Sequence, residues 1–349
     1  MSMLGKEMMK AHLKNIERKF DLDDKSQYDY VLNQSERTQH LPDNLYQEFL
    51  SSLKQEDFLF YPNTAKFKEK ICEFYGVDYN QLFLCAGSDV GIKSVFESFS
   101  DGGRIVSSHP SFPMYKVYSE LYNCEYFRIP HEKDYTLSME KILSNITDDT
   151  DLVILANPNS PMGEHKSFDE IRILLDQGVP VLIDEAYIEF SERDSIINEI
   201  NNYSNLFITR TFSKGFGAAG CRVGMVFSNE KNIELVSKFR QMYEISGISM
   251  KYCEFLLDNY SVVNDYIENV KIEKKKMISL LSNDFDVIDS DCNWIHFNNE
   301  IDNVDTIKIF ETHTVLVKYC SVPYDNRNNW CRLTIQPKMS NFDFIKELI

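Results

Sequence analysis

The feature that most constrains this chain is a regular alternation of short apolar runs with amphipathic stretches across residues 81–228. Strands buried on both faces read as unbroken apolar runs, whereas helices that cover them are apolar on one side only. The alternation therefore predicts an α/β domain with a mostly parallel, seven-stranded sheet sandwiched by helices. The predicted strands are 82–85, 105–107, 126–129, 152–156, 181–184, 206–209 and 224–227, and the predicted helices are 89–99, 113–122, 139–144 and 168–176.

The pattern changes after residue 230 and predicts a second, smaller α+β domain. Two long helical stretches, 231–242 and 250–281, are followed by short strand-like pieces at 294–297, 315–318 and 331–335 and by a last helix from about residue 341. We expect an N-terminal helix and arm over 1–44, a large domain over 45–240 and a small domain over 241–349. The basic run 271–276 is expected to be a solvated helix face, as such runs usually are.

The net charge limits the class of macromolecule that we expect to bind this protein, and the cysteine pattern indicates its cellular compartment. The 349 residues carry 37 Lys and Arg against 54 Asp and Glu, a net charge of −17, so the average surface repels nucleic acid and anionic membranes. The eight cysteines lack CxxC pairs and metal-ligand spacing, which predicts reduced thiols and no bound metal. The start of the chain is charged, and no apolar stretch reaches the roughly 20 residues that a membrane span needs. We therefore expect a cytoplasmic protein.

A lysine follows the sixth predicted strand in a segment rich in small residues. Lys214 lies in Ser-Lys-Gly-Phe-Gly-Ala-Ala-Gly, and Arg222 follows eight positions later. Open α/β sheets bind ligands at the carboxyl ends of their strands, where an amine is a candidate Schiff-base former. A surface lysine between turn glycines would fit the same segment.

Three more strand ends carry polar or small residues. Asp184-Glu185-Ala-Tyr187 suits acid–base chemistry, metal binding or pairing with a buried cation, and equally a helix N-cap. The stretch 157–163 holds two prolines and suits a rigid loop with polar side chains facing a ligand. Gly87-Ser88-Asp89 joins a strand to a helix, and its backbone N–H groups are candidates for binding a phosphate.

In this order and spacing, the segments resemble the fold type I pyridoxal-phosphate (PLP) enzymes of the class I/II aminotransferase family, in the histidinol-phosphate aminotransferase branch. The resemblance runs from about Tyr61 to Arg332. It implies that PLP binds to the large domain and that Lys214 forms a Schiff base with it and then moves the substrate proton. Asp184 would pair with the pyridine nitrogen, and Tyr187 would hydrogen-bond the phenolic oxygen.

The resemblance also assigns the remaining contacts to the cofactor. The phosphate would be held by Gly87, Ser88, Asp89, Ser213 and Arg222. Phe112 matches the aromatic residue that stacks on the ring, although a core phenylalanine would read the same. Ser160 stands where the family usually has an asparagine that contacts the phenolic oxygen, and a hydroxyl is shorter.

Further matches concern the substrate and a second subunit. Tyr61 matches a tyrosine that reaches the cofactor phosphate of the neighbouring subunit, which implies a homodimer with shared active sites. Arg332 matches the arginine that binds the substrate α-carboxylate, and its planar fork suits that group. Asn33 is kept in an otherwise altered N-terminal substrate loop. Lys318 stands where an arginine commonly helps bind the distal phosphate.

These residues leave three functions to compare. The leading one is a PLP-dependent aminotransferase that moves an amino group between a donor such as glutamate and a small anionic substrate, phosphorylated or not. The alternative is a PLP-dependent decarboxylase of a phosphorylated amino acid, similar to the phosphothreonine decarboxylases. A sugar- or nucleotide-binding protein without cofactor would leave Lys214, Asp184, Tyr187 and Arg222 unexplained as a set.

Overall fold

The computed structural model describes residues 12, 13, 16, 24–298, 306–320 and 330–349, without the side chains of residues 319 and 320. Its strands are β1 (Tyr30–Val31), β2 (Leu82–Cys85), β3 (Arg104–His109), β4 (Glu125–Pro130), β5 (Thr150–Ala156), β6 (Val181–Asp184), β7 (Leu206–Thr211), β8 (Gly224–Phe227), β9 (Val287–Ile288), β10 (Trp294–Asn298), β11 (Val315–Leu316), β12 (Lys318–Cys320) and β13 (Trp330–Thr334). Its α-helices are α1 (Asp43–Ser52), α2 (Glu56–Leu59), α3 (Ala65–Tyr75), α4 (Ser88–Phe99), α5 (Met114–Leu121), α6 (Met139–Leu143), α7 (Phe168–Leu175), α8 (Glu230–Val236), α9 (Gly247–Asp258), α10 (Tyr260–Leu281), α11 (Thr306–Thr312) and α12 (Asp343–Leu348).

The central sheet has seven strands in the order β2-β8-β7-β6-β5-β3-β4. Every neighbouring pair is parallel except those of β8, which runs antiparallel to β2 and β7. Along β5, Leu152 and Ile154 join one buried apolar cluster, while Val153 and Leu155 join another. Successive strand residues point to opposite faces, so both faces of the sheet are buried. The predicted mostly parallel seven-stranded α/β sheet is confirmed.

The C-terminal part builds a four-stranded antiparallel sheet in the order β12-β13-β10-β9. The predicted single strand 315–318 is wrong, because this stretch is divided between two sheets. Its first half, β11, pairs in parallel with β1, and β12 begins at Lys318 and pairs with β13. The β1–β11 pair therefore ties the arm before α1 to the C-terminal part of the molecule.

Two helix predictions need correction. The predicted helix 250–281 is interrupted at Asn259, whose φ of −111° and ψ of 36° separate α9 from α10. The predicted helix 231–242 ends early, since α8 stops at Val236 and a 3-10 turn, Ser237–Phe239, follows it.

The basic run 271–276 is not a wholly solvated face. Lys274 is buried, lies 3.2 Å from Asp289 and donates a hydrogen bond to the Ser290 carbonyl. A lysine can bury its alkyl stem and ammonium where such partners are present. The run therefore helps to join α10 to the loop after β9.

Most of the predicted N-terminal helix lies outside the described residues. The proposed domain boundaries near residues 44 and 240 stay predictions. Within the described part of the chain, no helix is both long and apolar enough to cross a membrane.

Candidate active site

Lys214 lies in the turn after β7 and points into the protein. Its Nζ donates a hydrogen bond of 2.7 Å to the backbone carbonyl of Gln34. The same atom lies 5.3 Å from the ring centroid of Tyr187, which is itself buried. Lys214 is therefore directed at an aromatic residue that the sequence also placed in the site. A lysine on an outer loop surface would have neither contact.

Asp184 is the last residue of β6 and is buried. Burial raises the pKa of its carboxyl group, and two hydroxyl donors act in the opposite direction. Tyr115 donates to Oδ2 and Thr209 to Oδ1, both at 2.9 Å. Among the described residues Asp184 forms no ion pair. A buried carboxylate with this environment is suited to a cationic N–H group of a ligand.

Aromatic rings connect this centre to the C-terminal sheet. Tyr187 meets Trp294 edge to face with ring centroids 4.6 Å apart. The Arg332 guanidinium lies over the Trp294 ring at 4.9 Å and donates a 2.9 Å hydrogen bond to the Asn33 carbonyl. Arg332 is buried and comes from the middle of β13. The structure thus brings the proposed substrate arginine to the same region as Lys214.

The turn before α4 comes very close to the Arg222 guanidinium. Gly87 has φ of +84°, and a Cβ there would lie 2.4 Å from Arg222 Nη2. Arg222 Nη1 is 3.4 Å from the Ser213 hydroxyl, and Ser88 begins α4. The helix start, a hydroxyl and a guanidinium therefore converge in an arrangement suited to binding an anion. Asp89 is the second residue of α4, and its charge raises the pKa of Asp184.

The N-terminal loop over residues 32–36 is held by side chains along its whole length. Its backbone carbonyls accept hydrogen bonds from Arg332 and Lys214 and from three further side chains. Thr334 donates to Leu32 O at 2.6 Å, Asn293 to Ser35 O at 3.3 Å and Gln336 to Glu36 O at 2.9 Å. Asn33 thus reaches the site through its backbone carbonyl. No local sequence pattern indicates these bonds, because they join residues about 260 to 300 positions apart.

The four remaining predicted residues differ in how near the structure places them to this centre. Phe112 packs edge-on against Tyr115, with centroids 5.6 Å apart, one contact away from Asp184. Ser160 precedes Pro161, whose carbonyl accepts a 3.1 Å bond from Trp294 Nε1.

Lys318 and Tyr61 are exposed. Lys318 lies directly opposite Arg332 in the β12–β13 register. Tyr61 is 77% exposed and stacks on Tyr243 at 4.0 Å, so it is not brought to the centre of its own chain.

Glu185, the second carboxylate after β6, has partners of its own. It is fully buried, accepts from Arg210 Nε at 2.8 Å and also bonds the Ser195 hydroxyl at 2.6 Å. The two carboxylates therefore do not form an acid–base pair on one ligand. Within the described residues, no group of three or more His, Cys, Asp or Glu side chains is placed to hold a metal ion.

Sequence reasoning missed Tyr115, Thr209 and Trp294. Thr209 could have been found, because the predicted strands 181–184 and 206–209 end at these two residues, which are paired in the structure. Tyr115 and Trp294 come from distant segments, and no local pattern marks them.

Comparison with known proteins decides the family. The protein-family model described as aminotransferase class I and II matches residues 28–344 of this chain. The chain belongs to the class I and II aminotransferase family. A histidinol-phosphate aminotransferase of Pyrococcus furiosus is 33% identical over 252 residues, 72% of this chain and 74% of that protein. The predicted resemblance to the histidinol-phosphate aminotransferase branch is confirmed.

Solved structures agree on the fold of this aminotransferase. Histidinol-phosphate aminotransferase from Sinorhizobium meliloti, in complex with pyridoxal-5'-phosphate, has a TM-score of 0.84 at 16% identity, covering 98% of this chain and 95% of that one. L-threonine-O-3-phosphate decarboxylase from Porphyromonas gingivalis has a TM-score of 0.77 at 20% identity, covering 91% and 98%. At such identities the likeness concerns the fold alone, which is the PLP-dependent fold type I.

The cofactor of this aminotransferase is PLP. The arrangement of the residues in the candidate site fits that group. The close approach of Gly87 to Arg222 leaves backbone N–H groups and a guanidinium for a phosphate. The buried Asp184 carboxylate suits a protonated ring nitrogen, and the Lys214 amine suits an aldehyde.

Proposed function

We propose that this aminotransferase moves an amino group between glutamate and a small phosphorylated amino or keto compound. The observation that carries the proposal is the pair of cations on one face of the C-terminal sheet. Arg332 and Lys318 are directly opposite each other on β13 and β12. Arg332 lies over Trp294, which meets Tyr187, the aromatic residue near Lys214. Both substrates of a transamination occupy one site in turn, so each must carry an anion that these cations can bind.

We assign each side chain a role from its position in the candidate active site. Bound PLP supplies an electron sink for the negative charge that develops at substrate Cα. Lys214 binds the cofactor through its amine and then carries the proton that leaves or enters Cα. Asp184 keeps a proton at the ring nitrogen, and the Tyr187 hydroxyl orients the ring.

The remaining predicted contacts complete the proposed site. Phe112 covers the ring, and Ser160 faces the phenolic oxygen. The phosphate is bound by Gly87, Ser88, Asp89, Ser213 and Arg222. Asn33 lies against the substrate through the loop that Arg332 holds.

The second subunit is part of the proposal. Residues 58–61 with Met242 and Tyr243 form an exposed cluster, here called the aromatic patch, in which Phe58, Leu59, Phe60 and Tyr61 are each more than 60% exposed. Contiguous exposed apolar residues of this kind are typical of protein interfaces. We propose that the patch packs against a second copy, placing Tyr61 at the partner's cofactor phosphate.

The cytoplasm is the proposed location. The seven cysteines whose side chains are described are all free thiols, as in a reducing compartment.

Half-reaction measurements test the function. Purified enzyme with PLP is mixed with glutamate alone, and we expect conversion of the cofactor to pyridoxamine phosphate, measured by mass spectrometry. The pyridoxamine form is then offered keto compounds with and without a phosphate group, and faster turnover of the phosphorylated ones is expected. Failure of glutamate, aspartate and alanine to convert the cofactor, together with carbon dioxide release from O-phosphothreonine, would replace the proposal with decarboxylation.

A further inference from the structure

We propose that Tyr115 and Thr209 are positioning residues that hold the Asp184 carboxylate ionised and correctly oriented, so that the shared proton stays on the PLP ring nitrogen. This inference rests on the proposed role of Asp184. It concerns two hydroxyl groups that the resemblance to the family did not point to.

The geometry assigns one donor to each carboxylate oxygen. Thr209 is the direct cross-strand neighbour of Asp184 on β7 and donates to Oδ1 at 2.9 Å. Tyr115 comes from α5 and donates to Oδ2 at the same distance. Two donors arriving from different elements fix the plane of the carboxylate. All three side chains are buried, so water does not compete for these bonds.

Burial and hydrogen bonding act on the pKa of Asp184 in opposite directions. Burial and the nearby Asp89 both raise the pKa of Asp184, and hydrogen bonds from Thr209, Tyr115 and the Ala186 backbone lower it. A proton shared between a carboxylate and a pyridine nitrogen moves toward whichever is more basic. Donors to the carboxylate reduce its basicity and so favour the ring nitrogen.

The Tyr115 hydroxyl can only be the donor in its hydrogen bond with Asp184. Burial, followed by the charge of Asp184, raises the pKa of its phenol well above the ordinary value of 10.0. The hydroxyl therefore keeps its proton throughout the physiological range and always donates. A tyrosine that only filled the core beside Phe112 would not need its oxygen, and Tyr115→Phe separates the two roles.

The test uses holoenzyme reconstituted with PLP labelled with ¹⁵N in the ring. Wild type, Tyr115→Phe, Thr209→Val and Thr209→Ser are compared with Tyr118→Phe, which removes a hydroxyl from another buried tyrosine of α5. The readouts are the ¹⁵N chemical shift of the ring nitrogen, the Kd for PLP and thermal unfolding of the apoprotein.

We expect the ring nitrogen of Tyr115→Phe and Thr209→Val to shift toward the neutral pyridine position, with PLP bound about tenfold more weakly. Thr209→Ser keeps its hydroxyl and should resemble wild type, as should Tyr118→Phe. A wild-type nitrogen shift in both Tyr115→Phe and Thr209→Val would overturn the inference. Should Tyr115→Phe not fold, Thr209→Val and its serine control decide alone.

Asp184→Asn separates this result from the proposed function. A changed nitrogen shift in Asp184→Asn, with unchanged shifts in the two hydroxyl variants, refutes only the role of Tyr115 and Thr209. An unchanged shift in Asp184→Asn would instead refute the proposed position of Asp184 at the ring.

Discussion

At the scale of single residues, the partners of a buried carboxylate determine which ligand group it can bind. Asp184 and Glu185 are adjacent in sequence and both buried, yet they have different partners. Among the residues that the structure describes, Asp184 accepts only from neutral hydroxyl and amide groups, whereas Glu185 forms an ion pair with Arg210. An ion-paired carboxylate has its charge compensated, and a hydroxyl-bonded one remains able to pair with a ligand cation. This difference supports Asp184, rather than Glu185, as the proposed partner of the ring nitrogen.

Asp184→Asn should therefore lower the rate far more than the stability. The amide oxygen can still accept a hydrogen bond from a hydroxyl, but the amide cannot keep a proton on the ring nitrogen. We expect kcat to fall about a hundredfold or more, the order seen when a charge-stabilising group is removed from an active site. Steady-state kinetics and thermal unfolding measure the two effects.

The matched control is Asp176→Asn, which changes an exposed aspartate after α7. It should leave both quantities near wild type. Near-normal turnover of a folded Asp184→Asn enzyme would contradict the assigned role.

At the scale of elements, the site is built where strand ends meet helix starts. The turn from β2 to α4 is held against Arg222 by a glycine with positive φ. Gly224, the first residue of β8, packs so closely that a Cβ there would lie 2.1 Å from the Ser88 nitrogen. Because glycine has no Cβ, both positions allow the backbone N–H groups of the turn to lie next to the Arg222 guanidinium. Glycine at positions 87 and 224 is thus required by packing.

Gly87→Ala should reduce both stability and cofactor affinity. Its positive φ strains an alanine by about 1–3 kcal/mol, and the new Cβ displaces the Arg222 guanidinium. Gly178→Ala is the matched control, because Gly178 also has positive φ, of +76°, but no atom within 4 Å of its Cβ position.

Thermal unfolding of the apoproteins and fluorescence titration with PLP measure these effects. Both variants should lose stability, and only Gly87→Ala should bind PLP more weakly. Equal PLP affinity in the two variants would show that this turn does not bind the phosphate.

At the scale of the whole molecule, the sequence predicted the large sheet far better than the smaller parts. Strands β2, β6 and β8 have the predicted bounds, because strands buried on both faces leave an unbroken apolar run. The strand predicted at 315–318 was wrong because its two halves pair with different partners, which local pattern does not encode. Contacts such as that of Tyr115 with Asp184 join residues 69 positions apart and depend on the tertiary fold.

The aromatic patch should make the protein a dimer. Leu59 belongs to this patch and is 71% exposed, and Leu59→Asp would bury a charge in the interface. We expect wild type to sediment as a dimer and Leu59→Asp as a monomer with little activity, because Tyr61 no longer reaches a partner.

Ile272→Asp is the control for this prediction. It places the same charge at an isolated apolar residue of α10 that is 64% exposed. It should remain dimeric and active. A monomeric wild type, or a fully active Leu59→Asp monomer, would contradict the shared-site arrangement.

The central claim is that Lys214 is the amine that binds PLP, and borohydride reduction tests it most directly. The holoenzyme is reduced, digested and mapped by mass spectrometry, with Lys214→Arg treated in parallel. We expect loss of the visible absorbance on reduction and a phosphopyridoxyl group on Lys214, absent from the variant. Attachment of the group to a different lysine in the wild-type enzyme, or no attachment at all, would contradict it.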